Sequence, residues 1–332
     1  MTLPADMRAL SFDAKGSLDA LKLIDRPLPR LAPGEVLVKV RAAALNPSDA
    51  KNVLGLFPYT TLPRVPGRDF SGVVVDGPAH MIGREVFGTG RPLGFEADGS
   101  HAEYLAVAAD GVTEKPAALS FAQAASCGVP YTTAYQGLGR AGVGKGSRVL
   151  VIGARGGVGK AVMTMARARG AHAIGAVRRA EQVAALEARG YGALLLPEPG
   201  RLADAVKDAF GAMADVIFDT TGKWLPASIY ALARSGKLIA ITPPDPKDQH
   251  VRFPVVDFYR RSATLIGVNN SLDDTRASAA MLAECAAGFA SGAIDPPDEP
   301  GAQPLEQGLA AYAALLAGAA GKIVLTMDGP AR

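Results

Sequence analysis

The run Arg148-Val-Leu-Val-Ile-Gly-Ala-Arg-Gly-Gly-Val-Gly-Lys160 leaves the middle of this chain few ways to fold. Four consecutive apolar residues, Val149 to Ile152, suit a strand buried on both faces. Gly153, Gly156, Gly157 and Gly159 then let the backbone turn tightly and approach a ligand closely. A helix expected from Val158 to Arg169 aims its unpaired N–H groups and positive dipole end at phosphate oxygens. Ala154 stands at the first position of the usual G-x-G-x-x-G spacing, so the pattern is A-x-G-x-x-G. Glycine-rich turns also serve as structural corners, but a strand before and a helix after favour dinucleotide binding. Ala154, Arg155, Gly156, Gly157 and Val158 are the expected diphosphate contacts, with Arg155 either against the phosphates or pointing to water.

At 332 residues the chain exceeds the size at which one core usually keeps growing, so two domains are expected. From Met7 to Val107 the pattern is β-rich, with strands expected at Met7–Phe12, Leu21–Asp25, Glu35–Ala44, Ser71–Val75 and Glu103–Val107. The frequent Gly and Pro between them argue for a compact antiparallel or barrel-like unit. From Leu119 the texture changes to alanine-rich helical segments alternating with apolar strands, the pattern of a doubly wound parallel sheet. Its strands are expected at Val149–Ile152, Ala173–Val177, Ala193–Leu196, Asp215–Asp219, Lys237–Ile241 and Thr264–Val268. Gly170, Gly190 and Gly236 read as stops for the intervening helices. A long helix over Asp273–Ser291, a loop over Ile294–Gln303, a helix over Leu305–Ala317 and a strand over Lys322–Met327 follow. These last elements are expected to return to the first domain and complete its sheet.

The bulk composition excludes several classes. Charged residues make up 20% and hydrophobic ones 48%, and no apolar run reaches the length needed to cross a bilayer. The start of the chain lacks a charged region followed by an apolar core, so a cytoplasmic location is expected. The net charge of +3 is small and the arginines are scattered, which gives no reason to propose nucleic acid. Cys127 and Cys285 are the two cysteines, too few for a disulfide scaffold or a four-thiolate zinc site.

Which dinucleotide is bound turns on the end of the second Rossmann strand, where NAD-preferring units carry an acid for the ribose 2'-hydroxyl. Here the strand ends Gly175-Ala-Val-Arg-Arg179, with no acid in place. Two guanidinium groups suit the extra phosphate of NADP(H), although Arg178 and Arg179 also read as solvated loop charges. Ligands in such sheets sit outside the carboxyl ends of the strands, which makes Thr220, Thr242 and the backbone near Asn269 further candidates.

Taken in order, the motifs Ala43-Ala-Leu-Asn-Pro-Ser-Asp49, Pro66-Gly-Arg-Asp-Phe-Ser-Gly-Val-Val74, Asp98-Gly-Ser-His-Ala-Glu-Tyr104, Pro130-Tyr-Thr-Thr-Ala-Tyr135, the glycine turn and Gly321-Lys-Ile-Val-Leu325 resemble the medium-chain dehydrogenase/reductase superfamily, in its zinc-free quinone oxidoreductase branch. The resemblance covers nearly the whole chain. It implies an α/β protein with a GroES-like β-rich catalytic domain, 1–120 and 270–332, and a Rossmann NADP(H)-binding domain, 121–269. It also implies a cleft where nicotinamide meets substrate, and a homodimer paired through the strand at Thr264–Val268.

Zinc-dependent members of this superfamily place a cysteine where this chain has Asn46, and Gly-His-Glu where it has Gly67-Arg-Asp69. Neither Asn46 nor Arg68 is a plausible zinc ligand, and no metal site is expected. None of His80, His101, His172 and His250 lies at metal-binding spacing from another. Without a Lewis acid a simple ketone is hard to polarise, whereas a quinone or an enone delocalises the incoming charge itself. The protein then supplies positioning, a donor to the oxyanion and a proton.

The resemblance points to Asn46, at the nicotinamide end of the cleft, with a turn-capping role as the alternative. It also points to Thr133, whose hydroxyl would approach the nicotinamide or else cap a helix. Lys51 falls where related enzymes often carry a tyrosine. It stabilises an enolate by charge, or is a solvated lysine while water gives the proton, because an ordinary lysine is a poor acid at neutral pH. Tyr59 is a second possible donor or a packed loop tyrosine. The leading expectation is an NADPH-dependent reductase of quinones or activated alkenes. An enoyl or 2-alkenal reductase and a non-catalytic NADPH-binding protein are the alternatives.

Overall fold

The computed structural model describes residues 3–245, 248–319 and 321–327. The expected ends of the first domain, at 1–2 and 328–332, lie outside them. The chain divides into two compact units, Met1–Thr132 with Asn270–Arg332, and Thr133–Asn269. The first thus continues past the expected boundary at 120.

The first unit begins with β1 (Asp6–Phe12), β2 (Leu21–Pro27), β3 (Glu35–Ala44), α1 (Pro47–Val53), β4 (Asp69–Asp76), β5 (Glu85–Gly88), β6 (Tyr104–Ala108), β7 (Thr113–Glu114) and α2 (Phe121–Ala125), and α3 (Gly128–Arg140) starts in it. The second carries β8 (Arg148–Ile152), α4 (Gly157–Ala168), β9 (His172–Val177), α5 (Ala180–Glu187), β10 (Gly192–Leu195), α6 (Leu202–Phe210), β11 (Ala214–Asp219), α7 (Leu225–Ala231), β12 (Leu232–Ala240), α8 (Val255–Arg260) and β13 (Thr264–Gly267). The chain then returns to the first unit with α9 (Thr275–Ala290), β14 (Gly301–Pro304), α10 (Gly308–Leu316) and β15 (Ile323–Thr326).

In the first unit β1 and β2 form an antiparallel ribbon, and the main sheet runs β14-β15-β3-β4-β5-β7, with β6 also paired to β3. β3 is its spine and serves two cores, with a register shift between Val40 and Ala42 changing which residues face each. Val36, Val38 and Val40 pack with Leu10, Phe12, Phe70 and Leu105, while the small Ala42 and Ala44 lie against Ala125 of α2 and Val324 of β15. The return of the carboxyl-terminal segment is concrete: Val324 pairs antiparallel with Ala44 and Thr326 with Ala42. That register brings the residue before β15, Lys322, beside the residues after β3.

The second unit is a six-stranded parallel sheet in the order β10-β9-β8-β11-β12-β13. Counted from β8 this is the 3-2-1-4-5-6 arrangement of a Rossmann unit, with a topological switch between β8 and β11. Ile152 pairs with Ala176 on one side and Asp219 on the other, so the strand ends are level along one edge of the sheet. Gly170 and Gly190 stop α4 and α5 with φ of 75° and 72°.

Gly236 does not stop a helix. α7 ends at Ala231, and the segment read as helical up to Ser235 already belongs to β12. The pairing of β12 with β11 jumps from Ala214–Leu232 to Val216–Lys237, so residues bulge out between, and Ser235 takes a left-handed φ of 58° there. The stretch Leu232–Ser235 carries no strand pattern, and its state was decided by the pairing of Leu232 with Ala214 of β11, since β13 joins only from Lys237. The short strands β5, β7 and β14 were also not expected; β14 lies partly in the anticipated loop and is held by parallel pairing to β15. Among the described residues no helix is long and apolar enough to cross a membrane.

Two neighbouring glycines of α3 give a direct check of this packing. A Cβ on Gly137 would lie 2.4 Å from the Phe218 ring, whereas one on Gly139 would meet nothing within 4 Å. Gly137→Ala is expected to destabilise by about 1–3 kcal/mol through overpacking, and Gly139→Ala to stabilise by up to about 1 kcal/mol through helix propensity. Urea midpoints of the two variants should move in opposite directions.

Candidate functional site

In the second unit the sequence-predicted cofactor residues gather along the carboxyl edge of the sheet. β8 runs into Gly153, whose φ of 80° makes the left-handed turn. Ala154 is therefore tolerated at the first motif position, and it is fully buried. A Cβ on Gly159 would fall 2.3 Å from the Gly153 carbonyl, so only glycine lets α4 start this close to the strand end. Gly156 caps α4 with extended backbone, and Arg155, Gly156 and Gly157 are exposed, with Val158 half-buried behind them. The open helix N-terminus beside an exposed glycine turn fits a diphosphate.

Thr220 donates its hydroxyl to the Ile152 carbonyl at 2.8 Å, packed where a Gly153 side chain would stand. Its lone pairs remain as acceptors. Thr242 is half-buried beyond β12, with its carbonyl against Gly222, and Asn269 is exposed just beyond β13. After β9, Arg178 and Arg179 are both exposed. Arg179 is ion-paired to Glu181 at 2.9 Å, while Arg178 has no partner among the described residues, which leaves it as the available guanidinium. Thr133 is buried within α3 and already engaged in a contact.

The first unit holds a buried polar cluster around Asp69, the first residue of β4, which is wholly inaccessible to solvent. One carboxylate oxygen accepts from Asn46 Nδ2 at 2.8 Å. The other accepts from the Thr89 hydroxyl at 2.7 Å and the Val129 N–H at 2.9 Å. A Cβ on Gly128 would sit 2.3 Å from that oxygen, so glycine is what allows the α3 N-terminus to reach the charge. Lys322 Nζ donates to Asn46 Oδ1 at 2.6 Å and lies 3.8 Å from Asp69 Oδ2.

A second charge pair stands beside the first. Arg68 is 2% exposed, donates to the Ser48 hydroxyl at 2.9 Å and lies over the Phe95 ring. Asp49 reaches back from the first turn of α1 to accept the Asn46 N–H at 2.7 Å, and Pro47 opens that helix. Burial pushes the Asp49 carboxyl up to about 6, opposed by the Arg68 guanidinium and reinforced by the charge of Asp69. Burial also lowers the Lys322 ammonium, against the pull of Asp69 and Asp49. Nearby, His101 meets the Tyr312 hydroxyl at 2.8 Å, and burial takes the imidazole down to about 3, so it is neutral.

Of the expected catalytic residues in this unit, Asn46 lies inside the cluster with both amide atoms engaged. Lys51 is half-buried in the last turn of α1 with no side-chain partner among the described residues. The Tyr59 ring packs on Phe57 and Phe95 under the Arg91 guanidinium, 4.3 Å from its centroid. Sequence reasoning missed the parts played by Asp49, Asp69 and Lys322. Lys322 sits in a motif that carried the resemblance, but only the β15–β3 register places it at Asn46.

A β-rich unit of this topology together with a Rossmann unit whose glycine turn fits a diphosphate is the architecture of nucleotide-dependent oxidoreductases. The comparisons agree: residues 32–117 match the alcohol dehydrogenase GroES-like domain and residues 157–284 the zinc-binding dehydrogenase family. A zinc-type alcohol dehydrogenase-like protein of Schizosaccharomyces pombe is 38% identical over 270 residues, covering 80% of this chain and 79% of that one. The NADPH-dependent alkenal/one oxidoreductase of Arabidopsis thaliana chloroplasts is 33% identical over 252 residues, covering 73% of this chain and 64% of its own. Among solved structures, the quinone oxidoreductase of Coxiella burnetii superposes with a TM-score of 0.79 at 25% identity, covering 97% of this chain and all of that one. The chain belongs to the medium-chain dehydrogenase/reductase superfamily.

The metal in the name of one matching family does not suit the donors present here. The corresponding place is taken by an amide, a guanidinium and an ammonium around one carboxylate. Two of these groups are cations, which repel a metal ion instead of binding it. Among the described residues no group of three His, Cys, Asp or Glu side chains could hold one.

The raised Asp49 value gives stability a definite pH dependence. Because the folded-state pKa of about 6 lies above the ordinary 3.8, the carboxyl's contribution is full below pH 3.8 and is lost as the pH rises through 6. Asp49→Asn removes this titration. The stability of the variant relative to wild type should therefore rise by up to about 3 kcal/mol between pH 4 and pH 7 in urea unfolding, and a pH-independent difference would contradict the assignment.

Proposed function

We propose that this oxidoreductase transfers a hydride from NADPH to the electron-poor carbon of a quinone or an α,β-unsaturated carbonyl compound, without a catalytic metal. The observation that carries the reading is the Lys322–Asn46–Asp69 cluster with Arg68 beside it, where zinc-dependent members would keep thiolate and imidazole ligands. A site built this way lacks a Lewis acid, so the substrate must itself delocalise the incoming charge. The named activities of the Arabidopsis and Coxiella relatives support that acceptor class. An alkenal and a quinone are both members of it.

The second unit holds the cofactor, and the first supplies the substrate side. The exposed turn at Ala154, Arg155, Gly156, Gly157 and Val158 receives the diphosphate, Arg178 the 2'-phosphate, and Thr220, Thr242 and Asn269 border the strand ends where the remainder lies. When bound, NADPH supplies the hydride. The Asn46 amide donates to the substrate oxygen or a ribose hydroxyl, Thr133 orients the nicotinamide, and Lys51 stabilises the enolate by charge. The proton comes from Lys51, Tyr59 or water. A cytoplasmic homodimer completes the reading, supported by the exposed apolar residues Val255, Val256, Tyr259 and Leu265 on α8 and the β13 edge.

NADPH oxidation measured against a panel of quinones, enones and alkenals in the presence of a chelator tests the function. Consumption with at least one acceptor is expected, and tight NADPH binding with no consumption anywhere would overturn it in favour of a non-catalytic binding protein. Arg178→Ala is expected to raise the KM for NADPH on the order of tenfold while leaving that for NADH nearly unchanged. Arg179→Ala should do less, since Arg179 is already paired with Glu181.

A further inference from the structure

We propose that Lys322 and Asp69 are positioning residues that fix the polarity of the Asn46 amide, so that this group meets its ligand as a donor through one remaining N–H. The proposal deepens the reading of Asn46 given above and rests on it for its catalytic consequence. The orientation itself follows from chemistry. An ionised carboxylate only accepts hydrogen bonds, and an ammonium only donates them. Asp69 lies 2.8 Å from one end of the amide and Lys322 2.6 Å from the other. The nitrogen must therefore face Asp69 and the oxygen Lys322. A flipped amide would set carbonyl against carboxylate and NH2 against ammonium, two repulsive pairings in a buried place.

The clamp is rigid at both jaws. The second oxygen of Asp69 is held by Thr89 and by the Val129 N–H at the start of α3. Lys322 is anchored by the adjacent strand, where the Leu45 N–H donates to the Ile323 carbonyl at 3.0 Å. The Asn46 backbone is in turn held by Asp49. An amide has two N–H hydrogens and Asp69 takes one, which leaves a single donor of fixed direction. An asparagine at the end of a strand would otherwise sample both orientations and offer a donor or an acceptor alternately. Catalysis that stabilises a developing oxyanion needs only the first.

The test reads amide exchange, kcat and NADPH affinity in Lys322 variants. The Asn46 side-chain amide is assigned in the nitrogen–proton NMR spectrum by its loss in Asn46→Asp, and its hydrogen exchange is followed. Steady-state kinetics give kcat with the best acceptor, and fluorescence titration gives the Kd for NADPH. Lys322→Met is expected to speed exchange of the Asn46 amide at least about tenfold and to lower kcat on the order of 10- to 100-fold, with Kd for NADPH changed by less than about threefold. Lys322→Arg, which keeps a donor, should recover most of kcat. Should Lys322→Met not fold, the isosteric Asp69→Asn carries the same readouts, because an amide in place of the carboxylate no longer dictates polarity.

Unchanged amide exchange in the folded variant would overturn the proposal, whatever the activity. A fall in NADPH affinity matching the fall in kcat would also overturn it, as the mark of a general structural role. Faster exchange with kcat at wild-type level in both Lys322→Met and Asn46→Ala would uphold the clamp and overturn the catalytic reading of Asn46 instead.

Discussion

A carboxylate without access to solvent must be surrounded by donors, and Asp69 meets that demand by drawing four distant parts of the chain together. Asn46 comes from the turn after β3, Thr89 from the end of β5, Val129 from the first turn of α3 and Lys322 from the segment before β15. Each is placed by its own strand or helix, and each loses a partner if another is displaced. The neighbouring Arg68 and Asp49 balance the remaining charge, so the cluster is close to neutral when all four ionisable groups are charged. Breaking one member of such a buried set costs about 3–5 kcal/mol, because it strands the others. The cluster is thus a constraint on the fold of the first unit as well as the chemical content of its site.

The second unit solves a different problem with backbone instead of charge. Parallel pairing levels the strand ends, and Gly153 supplies the left-handed turn that brings α4 to the end of β8. Small residues then set the spacing: Gly175 leaves room for Ala154, since a Cβ there would lie 2.8 Å from the alanine methyl. Asp219, at the end of β11, fastens its own turn by accepting from the N–H groups of Thr221, Gly222 and Trp224. The edge is therefore pre-formed, and Arg178 and Arg179 project from it into solvent.

Much of this was legible in the residues. The apolar run of β8 and its glycines stated both the strand and the tight turn into α4, because glycine alone permits the left-handed Gly153 and the close approach at Gly159. The spine strand β3 was readable end to end, since its β-branched and small apolar residues dominate the run and only Glu35, Lys39 and Arg41 interrupt it. β12 was not readable at its start, where Leu232-Ala-Arg-Ser carries no strand pattern and takes its state from pairing with β11 across a bulge. The short β5, β7 and β14 carry too few residues for a periodic signal and exist through their neighbours.

The site divides the same way. Local spacing is enough to mark Ala154 to Val158 and the guanidinium pair Arg178 and Arg179 as candidates, since a turn and its flanking elements lie within one short stretch. Residue identity alone at Asn46 and Arg68 was also enough to argue against a metal, because an amide and a guanidinium are not zinc ligands. Pairing across 276 positions is another matter. That Lys322 meets Asn46, and that Arg178 is available while Arg179 is held by Glu181, depended on strand register and side-chain placement. Sequence by itself determined which chemical groups were present and which turns could form; tertiary structure decided which charges share a desolvated space, because electrostatic partnership follows distance in the fold and not distance along the chain.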